Sequence, residues 1–168
     1  MKSIHLKLIA LLLPSALMVS CKKNDSPTET PAPAPVAATG GFTFKLDGGA
    51  TITVDSANAI LYSLSTGRQI DVYAYKGGTE ILEFHFDPST GLKPAGSTLG
   101  TNALLTYMAS PILSYDSQSG SINITKCDTV ANKIEGDFNF IGKQYPYTGS
   151  VEKTITEGHM IVSKLVKQ

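Results

Sequence analysis

Residues 70–86 read IDVYAYKGGTEILEFHF, and this stretch decides the fold. Apolar residues alternate with polar ones on both sides of the Gly77-Gly78 pair. A period of two is typical of a half-buried β-strand, whereas a helix repeats about every 3.6 residues. Two such runs joined by glycines predict an antiparallel hairpin with one buried face and one solvated face.

The register of this hairpin depends on the length of its loop. A two-residue loop would place His85 on the same face as Val72, whereas a three-residue loop, residues 77–79, pairs Lys76 with Glu80. Because a shift of one residue turns every side chain to the opposite face, we predict the three-residue loop, which keeps the apolar side chains together. The buried face then carries Ile70, Val72, Ala74, Leu82, Phe84 and Phe86, and the solvated face carries Asp71, Tyr73, Tyr75, Ile81, Glu83 and His85.

The same alternation continues through residues 41–168, with turn-forming residues between the runs. Short strands at intervals of about 8–12 residues are typical of a sandwich or a barrel. We therefore predict one all-β domain, an antiparallel β-sandwich of eight or nine strands, with a lipocalin-like β-barrel as the alternative. The predicted strands include residues 42–46, 52–54, 60–64, 70–74, 82–86, 104–108, 122–124, 134–140 and 159–165, and residues 91–101 are predicted to be a glycine-rich loop.

Composition excludes several classes of function. The chain has 168 residues, and its 14 basic and 14 acidic residues balance. A nucleic-acid-binding domain carries a basic surface, so no nucleic-acid partner is expected. The hydrophobic fraction of 42% is too high for a disordered chain.

The N-terminus resembles a bacterial lipoprotein signal peptide, residues 1–20. Thirteen uncharged residues, 8–20, are too few to span a bilayer, which takes about 20. They lead into Leu17-Met18-Val19-Ser20-Cys21, which resembles a lipobox with Met18 where Leu is more usual. The resemblance implies cleavage before Cys21 and attachment of acyl chains, palmitate among them, to this residue. Two or three such chains anchor a protein stably in a membrane.

Residues 21–40 are predicted to be a tether between this anchor and the domain. Their proline-alanine alternation favours extended polyproline II, which at about 3.1 Å per residue would reach roughly 50–60 Å. The expected location is the cell envelope, on the outer membrane, with the side of that membrane left open.

The solvated face of the hairpin holds the first candidate ligand contacts. In the predicted register Asp71 lies opposite His85, and Tyr73 lies opposite Glu83. Tyrosines can stack and carboxylates can accept hydrogen bonds, so these residues could contact a sugar or a cation. A solvated sheet face with paired opposite charges is the more common origin of such a pattern.

Two other patterns add candidate residues. Tyr145 and Tyr147 flank Pro146 in a predicted loop, where exposed tyrosines often contact partners. The tripeptides Asp55-Ser56-Ala57 and Asp128-Thr129-Val130 resemble the acceptor used for O-glycosylation of Bacteroidota envelope proteins. That resemblance implies Ser56 and Thr129 as glycosylation sites.

The sequence predicts no metal site, no cofactor and no catalytic residue. No zinc-ligand spacing, nucleophile elbow or phosphate-binding glycine loop occurs in it. With Cys21 acylated, Cys127 has no disulfide partner, and we predict a partly buried residue whose reactivity stays open. A hydrolase that uses Asp71, Glu83 and His85 remains as the weakest alternative, and it requires these side chains to converge in a cleft.

The C-terminal third resembles an uncharacterised domain family of small Bacteroidota lipoproteins. The motifs are GSINITKCD at 120–128, IEGDFNF at 134–140 and TITEG at 154–158. The resemblance covers residues 119–162 and implies a structural role for its motifs. It implies no activity. Its expected core residues are Ile122, Ile124, Phe138 and Phe140, with Gly136 and Gly158 where backbones approach closely.

Together these observations predict an envelope lipoprotein whose domain is a non-enzymatic binding or structural module. Its membrane contact would be the anchor at Cys21, and a glycan, a lipid or an envelope protein could be its partner. The main alternative is a β-barrel carrier of a small apolar ligand, which would need a large apolar cavity.

Overall fold

The fold was analysed in a computed structural model that describes residues 41–97, 103–147 and 149–168. The predicted signal peptide, tether and acylated Cys21 lie outside these residues. The described residues contain strands and no helix, which confirms the all-β prediction. The strands are β1 (Thr43–Leu46), β2 (Thr51–Thr53), β3 (Ser56–Leu64), β4 (Gly67–Lys76), β5 (Thr79–Phe86), β6 (Gly91–Pro94), β7 (Leu104–Ser110), β8 (Leu113–Asp128), β9 (Lys133–Gln144), β10 (Glu152–Val162) and β11 (Leu165–Lys167).

All eleven strands belong to one sheet that curls into a half-barrel. Its order is β11-β3-β4-β5-β7-β8-β9-β10-β1-β2, and β6 pairs with β8 beside this path. Every pairing is antiparallel except the parallel pairing of β11 with β3. The sequence predicted an antiparallel sandwich of eight or nine strands, with a barrel as the alternative, whereas the described residues form eleven strands in a single curled sheet.

The hydrophobic core lies inside the curl. The rings of Phe84 in β5 and Phe138 in β9 are 4.8 Å apart, although two strands separate β5 from β9 in the sheet. Phe42 contacts both rings, with centroids 5.9 Å from Phe84 and 5.6 Å from Phe138. These contacts join distant parts of the sheet through its interior, where a ligand carrier would hold its cargo.

The 70–86 hairpin confirms the predicted faces except at Ile81, which was expected on the solvated face and packs against the core, and it corrects the predicted turn. Asp71 pairs with His85 and Val72 pairs with Phe84, as the buried face requires. The three-residue loop is wrong, because Lys76 pairs with Thr79 across a two-residue Gly77-Gly78 turn. Both glycines have positive φ, 59° and 78°, which the tight turn needs. A bulge in β5 next to the turn restores the register that keeps apolar side chains inside.

Three strand assignments differ from the prediction. Gly91–Pro94 forms β6, although residues 91–101 were expected to be a loop. Strand β8 begins at Leu113, well before the expected 122–124, and the last predicted strand is divided between β10 and β11. Glycine, proline and serine weaken the local sequence signals for strands. Pairing with β8 and β9 therefore determines where these segments are extended.

The motifs of the C-terminal third have the structural roles that the resemblance implied. Ile122, Ile124, Phe138 and Phe140 are buried in the core. A Cβ atom on Gly136 would lie 2.7 Å from the Asn123 carbonyl oxygen, and one on Gly158 would lie 2.5 Å from the Phe138 ring. Glycine at both positions therefore permits close packing that any side chain would block.

Candidate binding face

Polar side chains of four neighbouring strands line the outward side of the sheet. We name this surface the tyrosine–carboxylate face. It points away from the core because successive residues of a strand alternate between the two sides of a sheet. Its members are Asp71, Tyr73 and Tyr75 of β4, Glu80, Glu83 and His85 of β5, Thr106 of β7, Asp116 of β8, and Tyr147 of the loop after β9.

His85 is held between two carboxylates of this face. Its Nδ1 lies 2.7 Å from Oδ1 of Asp71, and its Nε2 lies 3.2 Å from Oε1 of Glu83. The Gln69 amide donates a further hydrogen bond of 2.7 Å to Asp71 Oδ1. Only 17% of the His85 side chain and 9% of the Asp71 side chain are exposed.

This arrangement favours the charged form of His85. Burial by itself lowers the pKa of a histidine, but the hydrogen bonds to Glu83 and Asp71 outweigh it and raise the pKa of His85 to about 9. At neutral pH the ring is therefore an imidazolium that donates from both nitrogens. It has no lone pair with which to accept a proton from a substrate.

The three residues of the hydrolase hypothesis thus contact one another, although that hypothesis required them to converge in a cleft. They meet on the outward side of a sheet, and 29% of the Glu83 side chain is exposed. Asp71 and Glu83 both accept hydrogen bonds from the protonated ring, so the geometry describes a charged clamp between two strands.

The face continues from β5 to the loop after β9. Thr106 pairs with Glu83 in the sheet and donates a 2.9 Å hydrogen bond to Oδ1 of Asp116. The Tyr147 hydroxyl donates a 2.7 Å hydrogen bond to the other oxygen of Asp116. Burial and this bond to Asp116 raise the pKa of Tyr147 to about 12. The two groups of candidate residues found in the sequence are therefore parts of one surface.

Sequence reasoning missed the residues that connect these groups. Asp116 lies in the polar stretch 114–121, and Thr106 lies between two leucines and a tyrosine, so neither showed a pattern of its own. The pairing of β7 with both β5 and β8 brings them together. No sequence signal marks Asp116 as outward, because its neighbour Ser117 is buried although it is polar.

Aromatic and apolar side chains extend the face at the loop after β9. Tyr145 is 59% exposed, and its ring lies 5.4 Å from that of Tyr147, nearly perpendicular to it. The Tyr145 amide donates a hydrogen bond to Ser114 at the start of β8. Ile112, in the turn just before β8, is 96% exposed.

Of the two predicted glycosylation sites, Ser56 pairs with Tyr75 and so borders this face, whereas Thr129 lies away from it. Ser56 is exposed at the start of β3 and lines a pocket of about 130 Å³ together with Phe42, Val54 and Ile161. Thr129 lies in the turn after β8, where the Asp128 carboxylate accepts hydrogen bonds from the Val130 and Ala131 amides. Modification at either position stays a prediction.

Cys127 is partly buried against the core, as predicted. Burial raises the pKa of its thiol, which lowers the thiolate fraction that would make it nucleophilic. In the described residues no group of three or more histidine, cysteine, aspartate or glutamate side chains could hold a metal ion. The described part also has no helix long and apolar enough to cross a membrane.

A second histidine–aspartate pair, which the sequence did not suggest, lies on β9 and β10. Nδ1 of His159 is 2.7 Å from Oδ1 of Asp137, the same distance as in the first pair. Its Nε2 is buried and has no hydrogen-bond partner among the described residues.

Comparisons with protein-family models, curated proteins and solved structures found no match for this chain. The family resemblance of residues 119–162 therefore stays a prediction.

Proposed function

We propose that this chain is a lipid-anchored envelope lipoprotein whose β domain is a non-enzymatic binding module. The tyrosine–carboxylate face is its binding surface, and Cys21 carries the membrane anchor. The observation that carries the proposal is the continuity of the face from Asp71 through Glu83, Thr106 and Asp116 to Tyr147.

Binding suits this face better than catalysis does. Tyrosines are enriched in recognition surfaces because they bring a large, rigid contact area and a hydroxyl group. The charged clamp around His85 fixes Asp71 and Glu83 in place before a partner arrives, which lowers the entropy cost of binding. A general base at this position would need a neutral imidazole at neutral pH.

The carrier alternative has less support from the interior of the sheet. A carrier of a small apolar ligand needs a large apolar cavity. The mutual contacts of Phe42, Phe84 and Phe138 occupy the space inside the curl.

Photo-crosslinking in intact cells tests the binding surface. Full-length protein carries p-benzoylphenylalanine in place of Tyr75 or Tyr145, with Ser65 in the β3–β4 turn as the control position. We expect ultraviolet light to give a discrete adduct from the two tyrosine positions and none from Ser65. The absence of an adduct at both tyrosine positions, or equal labelling at Ser65, would contradict a binding face.

Metabolic labelling with an alkynyl palmitate tests the anchor. The unmodified sequence should incorporate the label and sediment with membranes, and the C21S variant should lose the label. Label retained by C21S would place the acyl chain elsewhere and overturn the anchor. Protease treatment of intact cells then reports which side of the membrane exposes residues 41–168.

A further inference from the structure

The tyrosine–carboxylate face carries an excess of negative charge. Its four carboxylates, those of Asp71, Glu80, Glu83 and Asp116, are balanced within the face by one imidazolium, that of His85. Lys143 of β9, the register partner of Asp116, adds one more positive charge, so two negative charges remain uncompensated. The chain as a whole is neutral, so this excess is a local property of the face.

No lysine or arginine side chain enters the face from its central strands. Strands β5 and β7 contain neither residue. Arg68 and Lys76 of β4 alternate with Asp71, Tyr73 and Tyr75 and so project to the other side of the sheet. Lys143 of β9 pairs with Asp116 and lies beside it on the same side of the sheet, so it offsets one carboxylate at the edge of the face.

Glu80 shows that the excess charge is unfavourable in the protein by itself. Burial and the nearby charge of Glu83 raise the pKa of Glu80, and no salt bridge of Glu80 occurs among the described contacts. The surroundings of Glu80 disfavour its charged form, so a cation that binds beside it stabilises this charged form.

Tyrosine rings supply the second half of the recognition. Tyr73 and Tyr75 lie on β4 beside Glu83 and Glu80, their register partners on β5. Burial, followed by the charges of Asp71 and Glu83, raises the pKa of Tyr73, so its ring stays neutral. Lysine and arginine side chains are attracted both to the π face of a neutral tyrosine ring and to the negative charge of the carboxylates beside it.

We propose that the tyrosine–carboxylate face binds a lysine-rich or arginine-rich segment of a partner protein. This inference rests on the proposed function and names the partner's chemistry. An extended segment matches a surface that runs across four strands from Asp71 to Tyr147. Glu80, Glu83 and Asp116 are less buried than Asp71 and present separate carboxylates to it, so successive basic side chains can each find a counter-charge.

Titration of the full-length lipoprotein in zwitterionic detergent micelles with fluorescent octalysine and octaarginine tests this proposal. We expect saturable binding of both peptides that weakens as salt rises, because salt screens partly exposed charges. The E80K variant should bind about tenfold more weakly, since it replaces an attractive charge with a repulsive one in the middle of the face.

The E157K variant is the matched control. It makes the same change in net charge on β10, at an exposed side chain outside the face. Octalysine affinity should be unchanged in E157K. Circular dichroism should show both variants folded, because Glu80 makes no ion pair among the described contacts and the Glu157 pair with Lys45 is exposed.

Four results would overturn the proposal. They are the absence of peptide binding at low salt, equal weakening in E80K and E157K, binding of spermine as tight as that of octalysine, and tighter binding of a neutral oligosaccharide than of either peptide. Spermine binding would make the occupant a small cation, and oligosaccharide binding would make it a glycan. If adducts form at Tyr75 and Tyr145 while the peptides do not bind, the binding face stands and the basic partner alone is refuted.

Discussion

Two histidine–aspartate pairs bridge neighbouring strands on the outward side of this sheet, and they differ in one contact. In both pairs Nδ1 of the histidine lies 2.7 Å from Oδ1 of the aspartate. The second nitrogen of His85 reaches Glu83, whereas the second nitrogen of His159 is buried without a partner among the described residues. A second carboxylate therefore turns a cross-strand hydrogen bond into a clamp that holds a charged ring.

The aspartates differ as well. The Asp71 side chain is 9% exposed, and the Asp137 side chain is 35% exposed. The loss of Asp71 leaves a largely buried imidazolium with Glu83 as its one remaining carboxylate partner, which makes the His85–Asp71 pair costly to break. The same Nδ1–Oδ1 distance therefore corresponds to different contributions to the free energy of unfolding in the two hairpins.

Removal of the aspartate should give the largest difference between the pairs. We expect D71A to lower the free energy of unfolding by about 2–3 kcal/mol, because the largely buried His85 ring loses a charge-assisted hydrogen bond and keeps Glu83 as its one carboxylate partner. D137A should cost about 1 kcal/mol or less, as partly exposed pairs do. Urea unfolding followed by circular dichroism measures both variants. Equal losses would show that the second carboxylate and the deeper burial make no difference.

The clamp should also make stability depend on pH above neutrality. The pKa of His85 is about 9 in the folded protein and close to 6.5 when unfolded. Its stabilising contribution is therefore complete below pH 6.5 and is lost as the pH rises towards 9. We expect the unmodified protein to lose about 1–3 kcal/mol across this window, after allowance for solvent screening.

The H85Q variant is the test of that assignment. Its unfolding free energy should lack this decline between pH 6.5 and 9, while H159Q should keep it. A decline of the same size in H85Q would move the titration to another group.

Loss of the second carboxylate should make the first pair resemble the second. In E83Q the amide cannot match the charge of the carboxylate, so the pKa of His85 should fall by about one unit. The ring proton resonances of His85, followed by NMR against pH, report this change. E157Q, which removes a carboxylate outside the face, serves as the control and should leave the titration of His85 in place.

The smallest effect should come from the second histidine itself. In H159L the loss of the Asp137 hydrogen bond is offset by the removal of a buried nitrogen without a partner. We expect the unfolding free energy to change by about 0.5 kcal/mol or less, compared with several times that in H85L. A large loss in H159L would mean that its pair with Asp137 is as important as the clamp.

The clamp's cross-strand contact could be predicted from the sequence. The alternation of residues 70–86 forces the apolar side chains to one side, and this requirement places Asp71 opposite His85 and Tyr73 opposite Glu83. The turn could not be predicted, because the bulge in β5 compensates for a loop one residue shorter and leaves the buried face unchanged. The alternation of residues 70–86 therefore determines which side chains are buried, and the backbone geometry of the bulge determines the length of the turn.

The extent of the candidate site could not be read from local pattern. Asp116 and Tyr147 are 31 residues apart, and Asp116 meets the hairpin only because β7 inserts between β5 and β8 in the sheet. Such contacts depend on strand order, which the alternation of a single segment does not encode. Strand β6 was missed for the same reason: Gly91 and Pro94 resemble a loop, and pairing with β8 makes them a strand.

The protonation state of His85 at pH 7.5 distinguishes a charged clamp from a catalytic base, because the two differ in one proton. Nitrogen-15 NMR of the full-length protein, labelled at histidine, reports the state of both ring nitrogens. We expect imidazolium shifts for both nitrogens of His85, lost together only near pH 9. A neutral ring at pH 7.5, with one nitrogen bearing a lone pair, would contradict the clamp and return Asp71, Glu83 and His85 to the hydrolase hypothesis.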